Sequence, residues 1–281
     1  MALRTCLLAA TAFLTLAACG QPAPTGPAVP RTQLAGSDEC VPIAEGLYEF
    51  RDGRFLAVSA PQGAFGENPA IWKQEIETGL AGAGLSWPRI AIREKVAVVT
   101  GAAASEQDRD YGFKAARAAI EGHPHAGMAG LLILDGTTVE GGAPAPAEAV
   151  AVLAGQPITA PTCEAAFRDV QQGQTIHFET GNARISPVST GLLDTLSGAA
   201  LLCSAFAIEI GNHTDSRGAD DYNRRLSQQR ADALRAYMVS KGVPEESLKA
   251  VGYGESQLID PANTAEAHAV NRRTEFKVTA R

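Results

Sequence analysis

Residues 205–242 read AFAIEIGNHTDSRGADDYNRRLSQQRADALRAYMVSKG and contain the clearest succession of strand, loop and helix in the chain. Residues 205–210, AFAIEI, are apolar except for Glu209, which predicts a strand. Residues 211–218 are rich in Gly, Asn, Asp and Ser, which is loop chemistry. A long helix is predicted to begin near Asp220 and to end at Gly242-Val243-Pro244.

One face of that helix carries a charge among apolar residues. The face comprises Tyr222, Leu226, Arg230, Leu234 and Met238, which recur every four residues. A guanidinium in such a stripe is costly unless it is paired or faces an anion through a cleft. Two interpretations of Arg230 stay open from the pattern alone. Either it snorkels or pairs with Asp215 or Asp221, or it binds an external anion.

The residues on either side of this stretch extend the pattern. Thr175–Phe178 is predicted as a short strand, and Ser186-Pro187 is predicted to open a helix with a capping residue followed by proline. The apolar face of that helix is formed by Leu192, Leu196, Ala199, Ala200 and Cys203.

The same region carries an ordered set of motifs. They are Gly211-Asn212-His213-Thr214-Asp215, Gly218, Tyr222-Asn223, Leu226-Ser227, Arg230-Ala231, Gly252-Tyr253-Gly254-Glu255 and Asn271-Arg272-Arg273. Together they resemble the peptidoglycan-binding domain of the OmpA family, over residues 174–281. The resemblance implies a βαβαβ domain with a mixed sheet, to which we assign residues 163–281, in an α+β protein.

The resemblance also implies a ligand and a site. In the OmpA family the Asp of the Thr-Asp motif and the Arg of the Leu-Ser-x-x-Arg motif hold the diaminopimelate of the peptidoglycan stem. Here these residues are Asp215 and Arg230, and their charges suit a zwitterion. The neighbouring positions expected to contribute are Thr214, Ser216, Asn223 and Phe178. We expect no metal, no cofactor and no catalytic residue.

The chain departs from the family pattern at three places. Glu179 follows Phe178 where Asp is frequent, and Asn212 stands where Gly commonly precedes His-Thr-Asp. Residues 267–269, Ala-His-Ala, replace the frequent Gly-Arg-Ala, which removes one basic side chain near the expected pocket.

The N-terminus has the features of an export signal. An apolar run from Cys6 to Ala18 is too short to span a bilayer and reads as a signal peptide, residues 1–18. It ends in Leu-Ala-Ala-Cys-Gly, which resembles the lipobox of bacterial lipoproteins, with Cys19 as the lipidated residue. Gly20 then favours the outer membrane, with the protein facing the periplasm. An ordinary secretory signal is the alternative.

The region between this signal and the OmpA-like domain divides by composition. Residues 19–39 and 141–162 are rich in Pro and Ala and are predicted as linkers, with one short helix at Pro146–Leu153. Residues 40–140 have the order helix, strand, strand, helix, strand, an αββαβ arrangement that resembles the BON domain. An unrelated α/β sandwich domain is the alternative. His123 and His125 are interpreted as loop residues and not as metal ligands.

Cysteine use fits an oxidising compartment. Once Cys6 is removed and Cys19 is acylated, Cys40, Cys163 and Cys203 remain. We predict a disulfide between Cys163, just before the domain, and Cys203, at the end of its first helix. The alternative is that Cys40 pairs with either one.

Composition narrows the classes of function. The 281 residues are 45% hydrophobic, which is ordinary for a globular protein, and the net charge of −7 disfavours nucleic-acid binding. The leading hypothesis is an envelope protein that binds peptidoglycan and is held in the outer membrane by its lipid. A cell-wall enzyme is the runner-up, although no convincing catalytic set is present. A stator-type protein would need a second long apolar segment, and a lipid- or partner-binding role for residues 40–140 stays open.

Overall fold

The computed structural model describes residues 47–51, 54–58 and 69–281. The helices and strands in chain order are β1 (Leu47–Arg51), β2 (Arg54–Val58), α1 (Pro69–Gly82), β3 (Arg89–Arg93), β4 (Val96–Ala103), α2 (Glu106–Gly122), α3 (Pro124–Met128), β5 (Leu132–Val139), α4 (Pro146–Ala154), α5 (Ala160–Gln171), α6 (Thr190–Leu202), β6 (Ala207–His213), α7 (Asp220–Ser240), β7 (Leu248–Gly254), α8 (Ala265–Asn271) and β8 (Thr274–Thr279). The signal peptide, Cys19, the linker 19–39 and Cys40 lie outside the described residues.

The chain divides into two units between Glu67 and Asn68. The described part of the first unit is the antiparallel pair β1 and β2. All the other helices and strands belong to the second unit.

The first half of the second unit has the predicted αββαβ order. Strands β3 and β4 are antiparallel, whereas β4 and β5 are parallel and are joined by α2. Helix α2 begins after Ser105, whose side chain accepts a hydrogen bond from the Asp108 amide, so the helix start is capped. The order of elements is confirmed, and the resemblance to the BON domain stays a prediction.

Both faces of this three-stranded sheet are covered. On β4, Val96 and Val98 face one apolar cluster, while Ala97 and Val99 face the other. Successive side chains of a strand point to opposite faces, and a strand buried on both faces therefore reads as a continuous apolar run. The run Val96-Ala97-Val98-Val99 has this composition because helices pack on both sides of β4.

Residues 141–162, predicted as a linker from their composition, are largely helical and partly buried. They contain α4 and the first residues of α5. The short helix predicted at Pro146–Leu153 is present and is one residue longer. Ala147, Val150 and Leu153 recur at helical spacing and are buried, so the Ala- and Val-rich composition forms a packing face. An extended tether is therefore not what these residues form.

A single apolar cluster connects the two halves of this unit. It contains Val98 of β4, Val150 of α4, Phe167 of α5, Leu196 of α6 and Val278 of β8. The αββαβ part and the C-terminal part consequently share one core. The burial of α4 and α5 in that core explains why this proline-containing stretch is ordered.

From β6 to β8 the C-terminal part has the βαβαβ order that the resemblance implies, and α5 and α6 precede it. Its three strands lie in the order β7-β6-β8, with β6 parallel to β7 and antiparallel to β8, so the sheet is mixed. Helix α7 lies so close to β7 that a Cβ at Gly252 would collide with the backbone of Gln228. This close approach gives the glycine of the Gly-Tyr-Gly-Glu motif a physical reason.

The strand predicted at Thr175–Phe178 is wrong. Only an isolated bridge pairs Phe178 with Ile185, and the His177 amide donates instead to the Ser189 hydroxyl at 2.8 Å. Similarly, Pro187–Ser189 forms a 3₁₀ turn, so the α-helix begins at Thr190 and not at Ser186-Pro187.

The outer edge of β8 is covered by α5. The Gln171 side chain donates to the Thr274 carbonyl at 3.0 Å, and the Val278 amide donates to the Glu164 carboxylate at 3.0 Å. The ring of Phe167 stacks on Phe276 with 4.6 Å between centroids. An exposed strand edge invites unwanted pairing, and a helix that bonds and packs against it removes that hazard. Helix α5 thus occupies the outer edge of β8, and residues 175–178 do not pair with that edge.

The disulfide between Cys163 and Cys203 is confirmed, with a Cα–Cα distance of 6.0 Å. It joins α5 to the residue that ends α6, and both cysteines are fully buried. The alternative pairing through Cys40 is therefore not the one formed. A closed loop of this length stabilises the fold by on the order of 4 kcal/mol in the chain-entropy treatment.

Candidate functional site

Asp215 lies in the loop between β6 and α7. The preceding Thr214 amide donates to the Gly254 carbonyl at 2.9 Å, which fixes the loop to the end of β7. The Asp215 side chain is only 8% exposed and forms ion pairs with two arginines. Arg217 Nη2 donates to Oδ2 at 2.8 Å and Arg272 Nη1 donates to the same oxygen at 2.7 Å.

These contacts decide the charge of Asp215. Burial alone would raise the pKa of the carboxyl. The interactions with Arg217 and Arg272 together lower the pKa by more than burial raises it. The net result is a pKa well below the usual range for aspartate. Asp215 is therefore an anion near neutral pH.

Arg230 projects from the middle of α7 and is half-buried, in agreement with its place in the apolar stripe. Its guanidinium lies over the Phe178 ring, 4.9 Å from the centroid, and Nε donates to the Asn182 carbonyl at 3.1 Å. Across the described ranges it forms no ion pair, so pairing with Asp215 or Asp221 does not explain it. Both Nη groups remain without a hydrogen bond to any described residue.

The environment of Arg230 is unusual for an arginine. Burial lowers its pKa, Tyr222 raises it, Arg272 lowers it and Asp215 raises it, with a net decrease. A guanidinium stays charged in proteins even so. The site therefore presents a cation, oriented by an aromatic ring, whose outer donors are available to an anion.

Asn223, from the first turn of α7, is buried and organises the loop. Its amide nitrogen donates to the Arg217 carbonyl at 3.0 Å and to the Glu255 carboxylate at 2.6 Å, and it lies 3.4 Å from the Asp215 carbonyl. Gly218 beside it has a positive φ of 104°. This backbone conformation favours glycine and lets the loop turn around the Asn223 side chain.

The other two predicted positions differ in access. Thr214 is buried and its hydroxyl has no hydrogen-bond partner among the residues that the structure describes. Ser216 is partly exposed next to Asp215. The structure thus gathers Asp215, Ser216 and Thr214 in one loop, and holds Arg230 over Phe178 on the neighbouring helix.

Residues 177–272 match the sequence profile of the OmpA family. The C-terminal part of the chain is an OmpA family domain. The chain is 38% identical over 105 residues to outer membrane porin F of Pseudomonas fluorescens, a match that covers 37% of this chain and 32% of the porin. It is 36% identical over 107 residues to the peptidoglycan-associated lipoprotein of Buchnera aphidicola, covering 37% of this chain and 61% of that protein.

The chain thus spans about a third of the porin and less than two thirds of the lipoprotein. Among solved structures, the peptidoglycan-associated lipoprotein of Burkholderia pseudomallei is 25% identical, with a TM-score of 0.34, covering 37% of this chain and 87% of that chain.

His213 in the OmpA domain is a packed side chain. Its ring stacks on Tyr253 with centroids 4.9 Å apart, and neither ring nitrogen has a hydrogen-bond partner within the described residues. Burial, followed by the charge of Arg273, lowers its pKa to about 4. Glu275 Oε2 lies 3.7 Å from Nε2 and opposes this effect. His213 is therefore neutral near pH 7 and part of the packing between β6 and β7.

Sequence reasoning missed several members of the site. Arg217 and Arg272 hold the Asp215 carboxylate, the Asn182 carbonyl anchors Arg230, and Glu255 holds Asn223. Arg272 and Glu255 belong to the motifs Asn271-Arg272-Arg273 and Gly252-Tyr253-Gly254-Glu255, so membership of a motif could have indicated them. Arg217 and Asn182 lie in segments where the pattern carried no indication of a role.

The acidic, histidine and cysteine side chains of the described part of the chain do not cluster. That part contains no group of three or more His, Cys, Asp or Glu side chains placed to hold a metal ion. His123 Nε2 lies 3.1 Å from a Glu75 carboxylate oxygen on α1.

Within the described residues, no helix combines the length and hydropathy required to cross a membrane.

Proposed function

We propose that this protein binds peptidoglycan non-covalently through the diaminopimelate of the stem peptide and ties the outer membrane to the cell wall. The observation that carries the proposal is that an OmpA family domain holds a buried anion within electrostatic range of a cation whose outer donors are unbonded among the described residues. Asp215 supplies the anion, and Arg230 supplies a guanidinium that has no ion-pair partner among the described residues.

The two charges match the two ends of an amino-acid head group. The ammonium of the ligand binds Asp215, and its carboxylate binds the outer nitrogens of Arg230 in a two-pronged arrangement. Phe178 helps to position the guanidinium through a cation–π contact, since Cζ of Arg230 lies over the ring, 4.9 Å from its centroid. Ser216, which is partly exposed next to Asp215, supplies a neutral hydrogen-bonding group in this proposal.

The other end of the protein supplies the membrane attachment in this proposal. Cys19, after the lipobox-like Leu16-Ala17-Ala18, carries the lipid, and Gly20 directs the protein to the outer membrane. A lipid anchor of two or three chains holds stably, because each buried methylene contributes about 0.8 kcal/mol. The names of the relatives, a porin of the outer membrane and a peptidoglycan-associated lipoprotein, support this envelope assignment.

The wall-binding part is tested by co-sedimentation of the purified chain with isolated sacculi. Asp215→Asn and Arg230→Gln should each reduce the bound fraction strongly, because each leaves one charge of the ligand unpaired. Arg225→Gln is the matched control, since Arg225 lies exposed on the same helix as Arg230. Circular dichroism checks that all variants fold. Unchanged retention of both site variants would reject the pocket.

The membrane part is tested separately in cells. Wild-type protein should incorporate radiolabelled fatty acid and fractionate with the outer membrane, and Cys19→Ala should lose the label. Label that persists in Cys19→Ala would show that Cys19 is not the acylated residue.

A further inference from the structure

The carboxylate of Asp215 is fully occupied before any ligand arrives. Its Oδ1 accepts from the Arg217 amide at 3.1 Å and from Arg217 Nε at 3.3 Å. Its Oδ2 accepts from Arg217 Nη2 and from Arg272 Nη1. An incoming ammonium therefore cannot simply add to this carboxylate. It must replace one of the two guanidinium groups.

Arg217 is the group that can leave. Its side chain is 63% exposed, compared with 45% for Arg272, and its guanidinium contacts both carboxylate oxygens. Its backbone is held independently, since the amide bonds to Asp215 and the carbonyl accepts from Asn223. The side chain can swing away while the loop, and the bond from Arg272, stay in place.

We propose that Arg217 fills the cation position at Asp215 until a zwitterionic ligand displaces it, and that this exchange selects for ligands carrying both charges. The inference rests on the proposed function and adds a specificity residue to it. An ammonium alone exchanges one cation for another and leaves the Arg217 guanidinium unpaired. A ligand with an adjacent carboxylate offers a new partner to the displaced Arg217 as well as to Arg230.

The chemistry predicts discrimination between two kinds of stem peptide. The side chain of diaminopimelate ends in an ammonium and a carboxylate, whereas that of lysine ends in an ammonium only. With Arg217 present, the lysine peptide must break an ion pair without compensation. With Arg217 absent, both peptides meet an Asp215 carboxylate from which this competing side chain has been removed.

The test is calorimetric titration of the purified full chain with two tripeptides, L-Ala-γ-D-Glu-meso-diaminopimelate and L-Ala-γ-D-Glu-L-Lys. In Arg217→Gln the affinity for the lysine peptide should rise on the order of fivefold, the factor that one exposed ion pair supplies. The preference for diaminopimelate should shrink accordingly. Arg225→Gln, which removes the same charge nearby, should keep the wild-type preference, and Arg217→Lys should retain most of it.

The outcomes separate the two levels of the proposal. If wild type binds the diaminopimelate peptide and Arg217→Gln shows the same preference as wild type, the role of Arg217 is refuted while the proposed function stands. An equal loss of affinity for both peptides in Arg217→Gln also refutes it, because Arg217 would then be an ordinary ligand contact. If wild type binds neither peptide nor sacculi, the proposed function itself fails.

Discussion

His213 should make the OmpA domain sensitive to mild acid. The pKa of its imidazole falls from 6.5 to about 4 on folding, because the ring is buried beneath Tyr253 and near Arg273 and Lys277. Between these two values the unfolded chain binds a proton that the folded chain does not. Stability therefore falls as the pH decreases from about 7 to about 4.

The size of this loss of stability follows from the two pKa values of His213, 6.5 in the unfolded chain and about 4 in the folded one. Integrating the linkage relation with these two pKa values gives a loss of about 2 kcal/mol at pH 5 and about 3 kcal/mol at pH 4, relative to pH 7. The variant that isolates this effect is His213→Phe. It keeps a planar ring against Tyr253 and sacrifices no hydrogen bond to the described residues, because neither ring nitrogen makes one.

The assay is urea unfolding of wild type and His213→Phe at a series of pH values from 7.5 to 4. The difference in free energy of unfolding between the two proteins should widen by about 2 kcal/mol from pH 7 to pH 5, in favour of the variant. Other titrating groups, including Glu275 and Asp215, are common to both proteins and largely cancel in the difference. Parallel curves of unfolding free energy against pH over this range would show that His213 does not cause the loss of stability.

Three further outcomes are expected. Replacing both Cys163 and Cys203 by Ala should lower the free energy of unfolding by on the order of 4 kcal/mol, measured by chemical denaturation, and an unchanged value would mean that the bridge does not form. Phe167→Ala should cost about 3–5 kcal/mol in the same assay, because this ring is fully buried in the shared core; a cost below about 1 kcal/mol would contradict that burial. The Tyr253 hydroxyl donates a hydrogen bond to the Glu209 carboxylate, and this contact raises the pKa of Tyr253 to about 12. In Glu209→Gln, ultraviolet titration should show the pKa of Tyr253 falling towards 10. An unchanged pKa would contradict the contact.

The elements with strong local patterns were predicted well from the sequence. The strand at 205–210 and the helix from Asp220 follow from an apolar run and from four-residue spacing, and the structure has β6 at Ala207–His213 and α7 at Asp220–Ser240. The weaker predictions were those that depend on a partner. Residues 175–178 have the composition of a strand, yet α5 covers the edge of β8 and they do not pair there.

Residues 141–162 illustrate the same limit. Proline, glycine and alanine indicated a tether, because composition describes the tendency of an isolated chain. Burial of Val150 and Leu153 against the rest of the core outweighs that tendency. Such burial depends on surfaces that are distant in sequence, and for this reason the stretch could not be assigned from composition alone.

The site divides along the same line. The motif sequence nominated Asp215 and Arg230, and periodicity placed Arg230 in an apolar stripe with its role open. The structure supplied its surroundings, a Phe178 ring and a carbonyl 48 residues away in the chain. It likewise supplied Arg272, which meets Asp215 across 57 residues.

The sequence nominated the two charged residues, predicted the elements from 205 onward and favoured the pairing of Cys163 with Cys203 over one that involves Cys40. These depend on local spacing, on a motif set and on a small number of thiols. The folded structure adds that Arg217 and Arg272 occupy the Asp215 carboxylate and that Arg230 keeps its outer donors unbonded among the described residues. Such contacts escape a reading of the sequence because ion pairs and burial arise between segments far apart in the chain, where side-chain geometry selects one partner from many candidates.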